Sequence, residues 1–365
     1  MSTYKKTPAL TGPSNAQMVG LSLIELMVAL AIGSFLIAGA VYVYVESRKN
    51  YTVNETLARM QENARYAMTT LEPDVRLANH WGMTNNPQMI IGAVGNTPLN
   101  LSGYANAQNC GNGFAIDLRR PIDGINQDGY AGNPVPCAAT GSGGGTRRTT
   151  ADTVIVRRAD ETPGVAAANT LQLYTTRQGG SSQLFVDGTV PGPIVVDPVF
   201  GPHAEVRNLV VRAYYVTNGS SVAGQPSLRR RNLVGGPGAG NPQFIDEEIM
   251  PGVEDVQVQF GIDLGADDDG NGAPDDRDLN GLPDRYNGIA TRYVNPGDPA
   301  LDGALVVAVR VWVRLRAEAP EPGFQDDKTY EYADVSYTPA GNDRRFRRML
   351  VSRTIQIRNT VSLQT

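Results

Sequence analysis

The sequence predicts an α+β protein, in which a long N-terminal helix, apolar in its first half, packs on an antiparallel β-sheet head with long loops. Three observations point there. Residues 21–45 form an apolar run whose one charge is Glu25. Apolar residues then continue at three- and four-residue steps through 46–80, where Leu57, Met60, Ala64, Ala67, Met68, Leu71 and Val75 share one helical face. From Ala151 onward the chain turns to β-branched, alternating segments bounded by turn formers. With hydrophobic residues at 41 %, forty Gly and twenty-four Pro, the composition suits a globular body with long irregular connections. No linker interrupts that body, which reads as one large domain.

Charge and residue usage exclude several function classes. The net charge is −5, but eight Asp and two Arg place −6 within 263–288, so the rest of the chain carries +1. A general nucleic-acid binder shows a broad basic excess, and this chain lacks it. Two histidines and two cysteines are too few for zinc sites or histidine-based catalysis, and no nucleophile motif stands out, so no enzyme is expected. The glycine-rich run 141–148 lacks the Lys-Ser/Thr ending of a phosphate loop and reads as linker.

The elements follow in order. At ~1.5 Å per residue, a helix over 21–45 spans the ~30 Å core of a bilayer. Lys5 and Lys6 ahead of it favour a cytoplasmic N-terminus. Glu25 is the difficulty, because an isolated carboxylate toward the bilayer interior costs roughly 2–3 kcal/mol unless it is paired or interfacial. An uncleaved anchor leaves it unexplained. A secretory signal cut at Ala38 to Ala40 would place it in the apolar core region and would stop short of the run's end at Val45.

A third scheme resolves it. The residues "G/LSLIELMVAL" resemble the type IV prepilin leader, with a scissile Gly20, a new N-terminus at Leu21, and Glu25 at the fifth position of the mature chain. The resemblance implies removal of residues 1–20 by a prepilin peptidase and methylation of the Leu21 amine. It also implies that Glu25 pairs with the N-terminal amine of a neighbouring subunit on assembly, a buried ion pair acting as a register device. Leu21 in place of the commoner Phe or Met, and "QMV" in place of a basic residue before Gly20, depart from the leader pattern.

"LARMQENARYAMTTLEPDVRLANHWG" (57–82), "NCGNGFAIDLRRPIDG", "ADTVIVRRAD" and "RRFRRMLVSRTIQIRN" are similar to the PilW family of minor pilins. That similarity implies a pilin-like fold and a minor pilin role in type IV pilus assembly or initiation. It implies an inner-membrane protein with a periplasmic head that enters the pilus, and other minor pilins and the major pilin, with a tip adhesin beyond them, as partners. A type II secretion minor pseudopilin and a membrane-anchored calcium-dependent adhesin remain the alternatives.

Two features of the body carry chemistry. Cys110 and Cys137 bracket a turn-rich loop within the loop-rich region 81–150. Outside the cytoplasm a disulfide between them is favoured, worth about 3–4 kcal/mol by loop closure; two free thiols are the alternative. In the β-rich head, 151–365, the acidic loop 263–288 matches a calcium loop twice in overlapping register. Asp267, Asp269, Asn271 and Asp275 fall at positions 1, 3, 5 and 9 of one copy, and Asp276, Asp278, Asn280 and Asp284 at those of the other; Asp278 is also position 12 of the first. Neither copy has the bidentate Glu at position 12, so calcium is expected as a cofactor at about 10⁻⁴–10⁻³ M. Along 304–318, Val309, Val311, Val313 and Leu315 should face the core and Arg310, Trp312, Arg314 and Arg316 a solvated face. The arginines 344, 345, 347, 348, 353 and 358 read as a polar or partner-facing strand rather than a nucleic-acid site.

Overall fold

The computed structural model describes residues 22–84, 86–102, 104, 110, 113–127, 146–177, 182–236, 240–264, 288–301 and 304–359. The chain divides into two compact units, Met1–Glu55 and Thr56–Thr365.

One helix, α1 (Leu23–Arg76), contains both the apolar run and its amphipathic continuation. Nothing between Val41 and Glu72 breaks it, and Pro73 lies in its final turn, close enough to the end that the helix runs only three residues further. The strands are β1 (Ile122–Ile125), β2 (Thr153–Ala159), β3 (Gln172–Thr176), β4 (Gln183–Phe185), β5 (Val196–Asp197), β6 (Gly201–Pro202), β7 (Ala204–Thr217), β8 (Ser227–Gly236), β9 (Gly240–Pro251), β10 (Val253–Asp263), β11 (Arg292–Val294), β12 (Leu305–Arg316), β13 (Tyr330–Tyr332), β14 (Val335–Tyr337) and β15 (Arg348–Gln356).

They form two main antiparallel sheets rather than one. The first has the path β1-β2-β7-β3-β4, with β8 on β7 and β9 on β8; the second runs β11-β10-β12-β15. The pairs β5–β6 and β13–β14 stand apart. Gly252, at φ +82°, is the single residue between β9 in the first sheet and β10 in the second. A side chain there would be strained in that conformation and would crowd the Arg316 carbonyl at 3.2 Å. Asp152, just before β2, ties the sheets again: its N–H donates to Val256 O (2.9 Å), and its carboxylate accepts from Val258 N (2.9 Å).

The helix face expected from the spacing is buried. Met60, Ala64, Ala67, Met68, Leu71 and Val75 pack with Val154, Val156 and Tyr214 of the first sheet and with Val256, Val258, Val309, Val311 and Val313 of the second. Each large apolar side chain buried this way contributes about 1.5–3 kcal/mol. A second core lies on the other face of the first sheet, where Trp81, Ile90, Ile116 and Leu118 from the 81–118 loops meet Ile155, Leu173 and Val211.

One expectation is corrected. The outer face of β12 is not solvated throughout: Arg314 is 2 % exposed, with its guanidinium 3.7 Å from the centroid of the Tyr337 ring and hydrogen-bonded to the Tyr332 hydroxyl. The hairpin β13–β14 therefore covers that face. Most of the C-terminal arginines bind within the chain. Arg348 pairs with Glu254 (2.8 and 3.1 Å) and Asp326, Arg347 with Glu321, Arg344 with Asp327, and Arg353 with Glu72 of α1.

Candidate functional site

The start of α1 is built by local chemistry. Ser22 caps it: its hydroxyl accepts from Glu25 N at 3.2 Å, and its carbonyl accepts the first helical bond from Leu26 N at 3.1 Å. Ser22 and Glu25 thus stand at the N-cap and N3 positions of a capping-box sequence, and a carboxylate in the first turn also favours the positive end of the helix dipole. Spacing alone carried this signal, and the sequence reading missed it. Gly20 and Leu21 lie outside the described residues.

Past Glu25 the helix presents apolar side chains on every side, with Phe35 80 %, Leu36 69 % and Tyr42 72 % exposed. It is long and apolar enough to cross a membrane. A side chain at Gly33 or Gly39 would meet no atom within 4 Å, so no described residue of this chain requires either glycine.

At the other end of α1, Asp74 is 1 % exposed and receives Arg212 (2.7 and 2.9 Å), Arg158 (3.0 and 3.3 Å) and the Tyr214 hydroxyl. Burial pushes its carboxyl up, but Arg212, with Tyr214 and Arg158, more than offsets that and holds it below the ordinary range. This clasp fixes the helix end to β2 and β7. No local pattern signals it, because its partners lie 84, 138 and 140 residues away.

The acidic loop is held at its neck. Gly288 N donates to the buried Asp263 carboxylate (2.7 Å), Thr291 N to Ile262 O (2.8 Å) and Leu264 N to the Thr291 hydroxyl (3.2 Å), continuing the pairing of β10 with β11. The candidate ligands Asp267, Asp269, Asn271, Asp275, Asp276, Asp278, Asn280 and Asp284 lie outside the described residues. Among the described residues no three His, Cys, Asp or Glu side chains are grouped to hold a metal. Cys110 is buried in the second core and is not a free thiol; Cys137 lies outside the described residues.

Residues 213–359, from within β7 through β15, match the family described as PilW, Type IV Pilus-assembly protein W. The match covers less than half of the chain. The segment follows a long apolar helix that leads into antiparallel sheets. The matched segment includes the whole of the second sheet and the acidic loop. No curated protein matches the chain. Among solved structures, a type IV-like pilin from Thermus thermophilus is similar at 14 % identity over 58 % of this chain and 80 % of that one, with a TM-score of 0.24, too loose a likeness to compare strand by strand.

Proposed function

We propose that the chain is a minor pilin: it is inserted in the inner membrane through α1, processed after Gly20 by the prepilin peptidase, and incorporated with other minor pilins and the major pilin into the pilus or its tip. The observation that carries this is an apolar helix whose first half is exposed among the described residues, in a chain whose residues 213–359 match the PilW family. Surface apolar on every side is stable only in lipid or against other helices, and a filament core supplies both in turn. Gly33, which a side chain could replace without a clash in this chain, suits close approach by another helix.

In this reading Glu25 has two successive roles. In the membrane it stabilises the first helical turn, and on assembly it meets the Leu21 amine of a neighbouring subunit. The Cys110–Cys137 disulfide and calcium binding by the acidic loop belong to the same proposal, as devices that hold long loops in an extracytoplasmic head.

Mass spectrometry of the mature N-terminus, on protein from membranes and from sheared pili, tests the reading. A chain starting at methylated Leu21 supports it, and an intact Met1 or a start at Val41 overturns it. Glu25→Ala should leave the chain in the membrane and remove it from sheared pili.

A further inference from the structure

A sheet edge is a row of unpaired N–H and C=O groups, and folded proteins shorten, bend or charge it to prevent unintended pairing. Most edges of this head are guarded. β1, β4 and β11 have four, three and three residues, and β4 is also bridged to Ile91. β9 is long, but it contains Pro242, shifts register twice against β8 and carries Asp246, Glu247 and Glu248.

β15 has none of these protections. It is nine residues long with no Gly or Pro, and it pairs with β12 from Arg348 to Gln356 without a register shift. Ala317 N donates to Arg347 O (2.8 Å) and Ile357 N to Val307 O (2.9 Å), so the odd-numbered residues between them turn their backbone groups toward β12. Those of Leu350, Ser352, Thr354 and Gln356 point away and have no backbone partner among the described residues. Ser352, Arg353, Thr354 and Gln356 are exposed. The central charge does not shield the edge, because Arg353 is drawn back onto Glu72.

We propose that the open edge of β15 is a docking site, which pairs strand to strand with an extended acidic segment of another pilus subunit. Main-chain hydrogen bonds would supply the affinity, as in β-strand addition generally. The preference for acid comes from charge: Arg345 and Arg358 are exposed at the two ends of the strand, and neither has an ion-pair partner among the described residues. The proposal rests on the pilus reading above and adds the surface through which the matched segment joins its neighbours.

Hydrogen–deuterium exchange on the full chain, purified in detergent and recovered within sheared pili, tests it. Amides 350, 352, 354 and 356 should exchange freely in the isolated chain and slow by on the order of 100-fold in the assembly, while 351, 353 and 355 are protected in both. Thr354→Pro deletes an outward donor without touching the β12 ladder, so it should abolish incorporation at an unchanged unfolding midpoint; Thr354→Ala should incorporate normally. Incorporation of the wild-type chain with the four amides still exchanging freely overturns the edge proposal alone. Absence of the wild-type chain from pili overturns the pilus reading. Protection that appears on concentrating the isolated chain assigns the edge to a second copy and overturns the assignment to another subunit.

Discussion

Asp74 shows how one buried carboxylate can fix the geometry of a whole junction. Its two guanidinium partners and the Tyr214 hydroxyl come from β2 and β7, so removing it leaves the buried Arg158 and the partly exposed Arg212 without their shared counter-charge. Asp74→Ala should destabilise the head by about 3–5 kcal/mol in denaturant unfolding, with Arg212→Ala costing less because that side chain is 25 % exposed. Asp152 acts in the opposite sense. Burial raises its carboxyl to about 7 against the bonds it accepts from Val258 N and Gln127 N. The folded state therefore holds a proton that the unfolded state has released between about pH 4 and pH 7, and stability falls as pH rises through that window. Asp152→Ala should flatten the slope without abolishing it, since burial also raises Asp123 and Asp255. A variant with the wild-type slope between those values would rule Asp152 out as its source.

The elements were legible in the sequence wherever one strand or helix carried its own periodicity. Six of the seven residues expected on the α1 face are buried, and Leu57, at its start, is half-buried. What escaped was the hairpin of β8 and β9. Its "RRR" and "DEE" runs look like solvated charge, and they make sense as strands only in register, where Arg230 faces Glu247 and Arg229 faces Glu248. Residues 229–231 and 246–248 form a ladder, with Arg229 also on Asp246 (2.6 Å) and Arg230 on Glu247 (2.6 Å). Cross-strand pairs of this kind contribute about 0.2–1 kcal/mol each. Arg230→Glu should lower the unfolding midpoint, and Arg230→Glu with Glu247→Arg should recover most of the loss; a double-mutant cycle with no coupling would show that the ladder is incidental. The covered face of β12 was illegible for a similar reason: its lid, β13–β14, lies beyond the strand in sequence and is too short to announce itself.

At the scale of the whole molecule, charge is concentrated in one loop. Residues 265–287 contain seven Asp and two Arg, so they hold the entire net charge of −5 and the remainder is neutral. So many carboxylates in a short segment repel one another, and a divalent cation is the economical relief. The neck makes the loop separable from the fold, because the Asp263–Gly288 bond and the β10–β11 pairing close the hairpin below it. Replacing 265–287 with a short glycine turn should therefore leave the unfolding midpoint in calcium-free buffer close to that of the full chain. The same replacement should remove the calcium-induced rise in midpoint expected of the full chain at about 10⁻⁴–10⁻³ M ion. Asp269→Asn with Asp278→Asn should reproduce that loss with the loop still present, since Asp278 falls within both overlapping copies of the repeat. If calcium stabilises the shortened chain as much as the full one, the ion binds elsewhere, and the acidic loop is a solvated, self-repelling segment that keeps an otherwise neutral head soluble.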